Sequence, residues 1–163
     1  MTPRELSEEL REHHTPELQN RRWIIGLSVV GALAGGLVGL YQTGILKKLP
    51  DPPLDVFDSE KVDASDYAYK RLQTPDAFMM LVSYGLTAWL AAAGGKNRAE
   101  QAPSLPILMA AKTLGDVAVA LELGREEWQE NKKLCAYCQT ATLASLASVA
   151  LALPEAIKAL RKK

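Results

Sequence analysis

Residues 23–46 read WIIGLSVVGALAGGLVGLYQTGIL, 24 positions without a charge, with Arg21-Arg22 before them and Lys47-Lys48 after. A bilayer hydrocarbon core is about 30 Å thick and takes about 20 residues of helix. Two more windows reach that length. Residues 77–95 are 19 uncharged positions between Asp76 and Lys96, and residues 134–154 are 21 between Lys133 and Glu155. A fourth window, 102–121, holds Lys112 and Asp116. These stand at i and i+4, where opposite charges pair on one helix face. An ionisable pair at membrane depth faces the bundle interior or water. The alternative for this segment is a soluble helix with a surface ion pair. Beside three apolar neighbours it reads as a fourth span. The expected fold is all-α: a four-helix transmembrane bundle with a short N-terminal amphipathic helix, divided into a surface segment (1–22) and a membrane domain (23–163).

Composition narrows the function. Among 163 residues, 19 Lys and Arg balance 19 Asp and Glu. Binding to nucleic acid through a basic surface is excluded by that balance. Disorder does not suit a chain that is 48% hydrophobic with no net charge. Two cysteines cannot make a disulfide scaffold. A secretory signal peptide is not expected, because the first apolar run is longer than an h-region of about 7–15 residues and lacks a small-residue cleavage site.

The connecting segments carry start signals. Thr2-Pro3-Arg4-Glu5 is a capping box with Pro at the first helical position. Leu6 and Leu10 give the helix that follows an apolar edge at a membrane surface. Thr15-Pro16 repeats the cap, and Thr74-Pro75-Asp76 is expected to cap the second span. Residues 47–76 are the longest polar segment, with Pro50, Pro52, Pro53 and seven acids. Residues 96–101 and 122–133 read as short loops. Gly31, Gly35 and Gly39 permit close helix approach, and Ala144, Ser148 and Ala152 form a small-residue row on the last span. Trp23, Tyr41, Trp89 and Trp128 sit near span ends as interfacial anchors. With four spans, one side carries ten Lys and Arg and the other eight. The cluster Lys158, Arg161, Lys162 and Lys163 adds weight to placing both termini in the cytoplasm.

The one reactive constellation is Cys135-Ala136-Tyr137-Cys138. The spacing puts two sulfurs about one turn apart at a helix start, where the dipole favours a thiolate. Lys132 and Lys133 add to that field. A thiolate pair suits reversible thiol–disulfide exchange. The other readings are half of a zinc site, for which His13 and His14 are the only histidines and lie across the membrane, or two inert buried thiols. No metal is expected.

The order of parts resembles the vitamin K epoxide reductase family. A first span is followed by a polar outer loop, then Asp58-Ser59-Glu60-Lys61-Val62, Ser65-x-Tyr67, and Thr74-Pro75-Asp76-Ala77 leading to Tyr84. Two more spans follow, the last opening with C-x-x-C. The resemblance covers residues 23–154. It implies a membrane thiol–quinone oxidoreductase holding a quinone of menaquinone or ubiquinone type. Cys135 would receive electrons and Cys138 would face the quinone. Tyr84 and Tyr137 are the tyrosines that would hydrogen-bond a quinone carbonyl, unless each satisfies its hydroxyl within the protein. Ser65 would match the family's loop serine. A thioredoxin-like protein on the non-cytoplasmic side, quinone and membrane lipid are the implied partners, and a bacterial plasma membrane the implied location. The chain departs from the pattern at Ser59, where the family commonly has a loop cysteine; residues 47–76 contain no cysteine. A non-catalytic quinone-binding or scaffolding subunit of the same fold is therefore the alternative.

Overall fold

The computed structural model describes residues 2–161. Lys162 and Lys163 of the C-terminal basic cluster lie outside the described residues. Seven α-helices follow in order among them: α1 (Pro3–Glu12), α2 (Pro16–Gln42), α3 (Ser59–Asp63), α4 (Ala77–Ala92), α5 (Arg98–Gln101), α6 (Ser104–Asn131) and α7 (Ala136–Arg161). A single 3₁₀ turn at Asp66–Ala68 separates α3 from α4. The described residues contain no strand, only an isolated bridge between Phe57 and Leu134.

The N-terminal caps form as the sequence predicts. The Thr2 hydroxyl accepts from the Glu5 amide at 3.3 Å, and the Glu5 carboxylate accepts from the Thr2 amide at 2.7 Å. Thr15 caps α2 through the Leu18 amide at 3.2 Å. At α4 the expected cap is replaced. Asp76 stands at the N-cap without a side-chain cap bond, and its carboxylate accepts from the Gln42 amide nitrogen at 2.8 Å instead.

Among the described residues three helices, α2, α6 and α7, are long and apolar enough to cross a membrane. The apolar windows did not convert to helix as their charge content suggests. The chargeless window at 77–95 yields a helix of 16 residues, while the window holding Lys112 and Asp116 yields one of 28. At about 1.5 Å per residue, α4 is about 24 Å long, short of a bilayer core. Its end is set by Arg21, whose guanidinium takes the carbonyls of Ala91, Ala92, Ala93, Gly94 and Gly95. Gly94 has φ +79°, a turn that helix cannot continue through. The expected loop at 122–133 is helical as far as Asn131. Glu122 and Arg125 pair at i,i+3 on its surface, Glu127 and Asn131 turn into the core, and a left-handed Lys132 closes the helix. The expected loop at 96–101 contains α5.

Helix α2 packs on α4 and α7, α6 packs on α7, and α4 meets α6 only sparsely. Small residues allow the close crossings. A Cβ at Gly31 would stand 2.4 Å from Tyr84 Cζ, and one at Gly35 3.1 Å from Met80 Cβ. Ala144, Ser148 and Ala152 are buried on α7. Large apolar side chains point outward instead: Trp23, Leu33, Val82, Trp89, Val119 and Leu143 are all exposed. Small inside and large apolar outside is how helices pack where the surroundings are hydrocarbon.

Candidate functional site

The segment between α2 and α4 folds over the start of α7. The Leu134 amide donates to the Val56 carbonyl at 2.9 Å, and the Asp58 amide to the Leu134 carbonyl at 3.1 Å. These bonds fix the residue before Cys135. Ser59 is fully buried. Its hydroxyl donates to Asp51 at 2.5 Å and accepts from the Ala136 amide at 2.9 Å, so it caps α7. Tyr137 donates to the Pro50 carbonyl at 2.8 Å. Ser65 donates to the Val62 carbonyl at 2.6 Å, within its own loop.

Cys135 sits inside this junction with no solvent exposure, and both cysteines are free thiols. The Cys138 amide donates to Cys135 Sγ at 3.2 Å. An Asp63 carboxylate oxygen and both sulfurs lie within 4.8 Å of one another. Asp63 is 1% exposed, and its Oδ2 has no hydrogen-bond partner. Glu127, also 1% exposed, accepts from the Cys135 amide at 3.3 Å and from Gln139 Nε2 at 3.4 Å. Burial pushes the Asp63 carboxyl up to about 7; the Cys135 thiol pulls it down, and the charges of Asp76, Glu127 and Asp51 push it further up. The Cys135 thiol is lowered by its hydrogen bond with Cys138, yet burial and the Asp63 charge leave it above its ordinary value.

The sequence predicts a basic field around the pair, and the structure shows an acidic one. Lys132 is exposed, and the Lys133 ammonium donates to the Asp55 carbonyl. Neither is bonded to a sulfur. The nearest charged groups arrive instead from α3 and the end of α6. Asp63, Cys135 and Cys138 make three potential metal ligands, one fewer than a structural zinc site closes with. His13 and His14 follow α1 and are not in that group.

Where α4 and α6 part, a cavity of about 420 Å³ opens against α7. That is within the usual range of about 300–1,000 Å³ for small-molecule sites. Cys138 and Tyr84 line it, and Cys135 and Tyr137 do not. Met79, Met80, Val119 and Leu123 supply apolar wall. The Tyr84 hydroxyl donates to the Ala141 carbonyl at 2.5 Å and lies 2.8 Å from Ser145 Oγ. Deeper along the wall, Lys112 bonds Asp116 at 2.6 Å, Thr87 Oγ1 at 2.5 Å, and the Ser83 hydroxyl and carbonyl at 2.8 and 2.6 Å. The i,i+4 pair thus faces the bundle interior, where a membrane protein keeps its charges.

Sequence reasoning missed Asp63, Glu127, Gln139 and Ser145. Asp63 is one of seven acids in its loop and carries no distinguishing spacing. Glu127 had a signal: as the helix runs on through 131, it falls on the same face as Thr113, Leu123 and Asn131 rather than with the exposed Glu122 and Arg125.

A model of the vitamin K epoxide reductase family matches residues 22–153. The chain belongs to that family. No curated protein and no solved structure matches it. Membership of the vitamin K epoxide reductase family carries membrane thiol–quinone oxidoreduction as its general activity, with quinones as the redox cofactor and thioredoxin-like proteins as the general partners. The three long apolar helices agree with an integral membrane protein.

Proposed function

We propose that this chain exchanges electrons between the Cys135–Cys138 pair and a quinone held in the cavity between α4, α6 and α7. The observation that carries the reading is that Cys138, of the two sulfurs, lines that cavity, while Cys135 is sealed one turn away under the outer loop. The walls suit the ring. Methionine, leucine and valine side chains with the Tyr67 and Tyr84 faces offer apolar contact, and Gln139, with one of its two amide hydrogens on Glu127, offers a donor to a ring carbonyl. When bound, a quinone of menaquinone or ubiquinone type accepts two electrons and two protons. Cys138 would face it, the Tyr84 ring, fixed by its bonds to Ala141 and Ser145, would pack against it, and the Tyr137 hydroxyl is spent on anchoring Pro50.

In this reading α4 is the fourth span, shortened at one end by Arg21, and residues 23–163 are one membrane domain with α1 on the surface. Both termini are cytoplasmic and the thiol end faces outward, in a bacterial plasma membrane. The family's kind of donor is a thioredoxin-like dithiol protein on that side, which here would have to exchange with Cys135 directly.

Solvent extraction of purified protein followed by mass spectrometry should recover a quinone. Dithiothreitol should then drive quinone reduction by the wild type and not by Cys135→Ala or Cys138→Ala. Equal rates in all three would leave only the scaffolding subunit. A folded thioredoxin-like donor should be much slower than dithiothreitol, because each relay step needs a sulfur and Ser59 offers a hydroxyl. Equal speed with both donors would show that the outer loop gives a folded donor direct access to the pair.

A further inference from the structure

We propose that Asp63 is a catalytic residue of the thiol pair: its carboxylate takes the proton from Cys135 as the Cys135–Cys138 disulfide closes, and returns it when that bond is reduced. The inference rests on the redox reading of the pair given above.

The geometry sets this role apart from a structural one. A buried carboxylate costs several kcal/mol unless it is paired. Among the described residues, no cation pairs with Asp63 and one of its oxygens has no hydrogen-bond partner. It sits at the end of a five-residue helix whose own cap is Asp58, so it is not needed to start that helix. What it does approach is the two sulfurs, within 4.8 Å. The titratable groups facing it are Asp51 from the loop before α3, Tyr41 of α2, Tyr69, Asp76 at the start of α4, Glu127 of α6, and the two thiols at the start of α7. None is a cation. With the Cys135 thiol raised by burial and the neighbouring acid, a nucleophile forms there only if its proton has somewhere to go. A carboxyl near 7 is matched to that task at ordinary pH.

The step balances. Closing the disulfide makes one S–S bond and breaks two S–H bonds, releasing two electrons and two protons. Both electrons leave through Cys138 to a two-electron acceptor in the cavity, a quinone by the reading above. The Cys138 proton leaves with them, and the Cys135 proton rests on Asp63 until the acceptor or solvent takes it. Reduction takes its two electrons and two protons from the dithiol donor: two donor S–H bonds break and the donor's own S–S bond forms through a mixed disulfide, the Cys135–Cys138 bond opens, and the Cys135 thiolate released takes its proton back from Asp63.

The test uses full-length protein in detergent, reduced and then treated with a small azo oxidant, which takes both electrons and both protons to become a hydrazide. Closure is followed by trapping the remaining thiols for mass spectrometry between about pH 5 and 9. In the wild type the rate should rise with pH and level off above about 7, as Asp63 becomes a carboxylate. Asp63→Asn should slow closure on the order of a hundredfold at pH 7 and lose the plateau, its rate climbing with pH towards thiol ionisation. A carboxyl infrared band of the reduced wild type should be missing from Asp63→Asn. The two effects of Asp63 on Cys135 have opposite signs, which makes the result decisive. Its charge alone raises the thiol, so a purely electrostatic Asp63 predicts faster closure in Asp63→Asn; that outcome overturns the proposal. So does a wild-type rate that rises through pH 9 without levelling, which needs no variant to fold. A plateau that survives Asp63→Asn but is lost in Glu127→Gln assigns the role to Glu127 instead. If the wild type forms no disulfide under any condition, the redox reading itself fails.

Discussion

The two ends of the bundle handle buried charge in opposite ways. At the end that carries both termini, Arg21 and Arg98 are buried and fully engaged. Arg21 is spread over five backbone carbonyls, and Arg98 bonds Glu155 twice and two carbonyls besides, at 2.6–2.9 Å. At the thiol end, Asp63 and Glu127 are buried beside two free sulfurs, and among the described residues no cation is bonded to either acid. A guanidinium has five donors in a rigid fork and can satisfy several helix-end carbonyls at once. A carboxylate has no donors when ionised, so burying one without a cation leaves it strained toward protonation. The first arrangement fixes helix ends. The second stores an electrostatic imbalance where chemistry is proposed.

The largest expected effect tests the fixed end. Arg98→Ala should destabilise the protein by about 3–5 kcal/mol, because Glu155, 3% exposed at its side chain, would lose its ion-pair partner. Thermal unfolding in detergent reads this directly. The double change Arg98→Met with Glu155→Leu should recover most of the loss, since an apolar pair of similar volume is often as stable as a buried ion pair. If Arg98→Ala alone were near neutral, this end would not be the fixed one, and the contrast between the ends would collapse.

The two ends also differed in how far the sequence disclosed them. The apolar windows announce α2, α4, α6 and α7, and C-x-x-C announces the thiols. Neither buried arginine reads as buried: Arg21 belongs to an Arg-Arg pair that looks like a membrane flank, and Arg98 to what looks like a loop. Both are drawn inward by carbonyls at a helix end that is itself invisible in a chargeless run. At the other end, Asp63 lies 72 positions from Cys135. No local periodicity links them; only the fold of the outer loop over α7 does. Which segments become helix is set by local pattern, whereas the end of α4 and both charge networks are set by long-range packing.

Between the two ends, Gly31 supports the Tyr84 crossing. Gly31→Ala should cost about 1–3 kcal/mol, because the new methyl would lie 2.4–2.6 Å from ring atoms of Tyr84 and the ring cannot retreat without leaving Ala141 and Ser145. The same change should weaken quinone retention during purification, as Tyr84 lines the cavity. Gly26→Ala on the same helix, with nothing within 4 Å, is the matched control and should be neutral or slightly stabilising. Equal loss from both substitutions would show that the helix backbone, and not the ring contact, is being disturbed.

The smallest effect separates structure from chemistry at the thiol end itself. By the resemblance Ser59 would stand where the family commonly has a loop cysteine, and its hydroxyl is committed twice, to Asp51 and to the first amide of α7. Ser59→Ala removes a helix cap and should cost about 1 kcal/mol. Asp51 keeps its bond from the residue 59 amide, at 2.7 Å, so the loop should stay in place. Disulfide closure with a small oxidant should therefore be little changed, since Ser59 touches neither proton nor electron. Asp63→Asn behaves in the reverse sense. A carboxyl whose folded value is raised binds its proton more tightly in the folded state, so the native protein loses stability as pH climbs from about 4 to 7. Asn has no charge to develop, so that substitution should flatten the decline while it slows closure. A residue that supports the fold and a residue that serves the reaction would then lie side by side on α3, each moving one measurement and sparing the other. A Ser59→Ala protein that closes its disulfide as slowly as Asp63→Asn would erase that distinction and make the whole loop a positioning device.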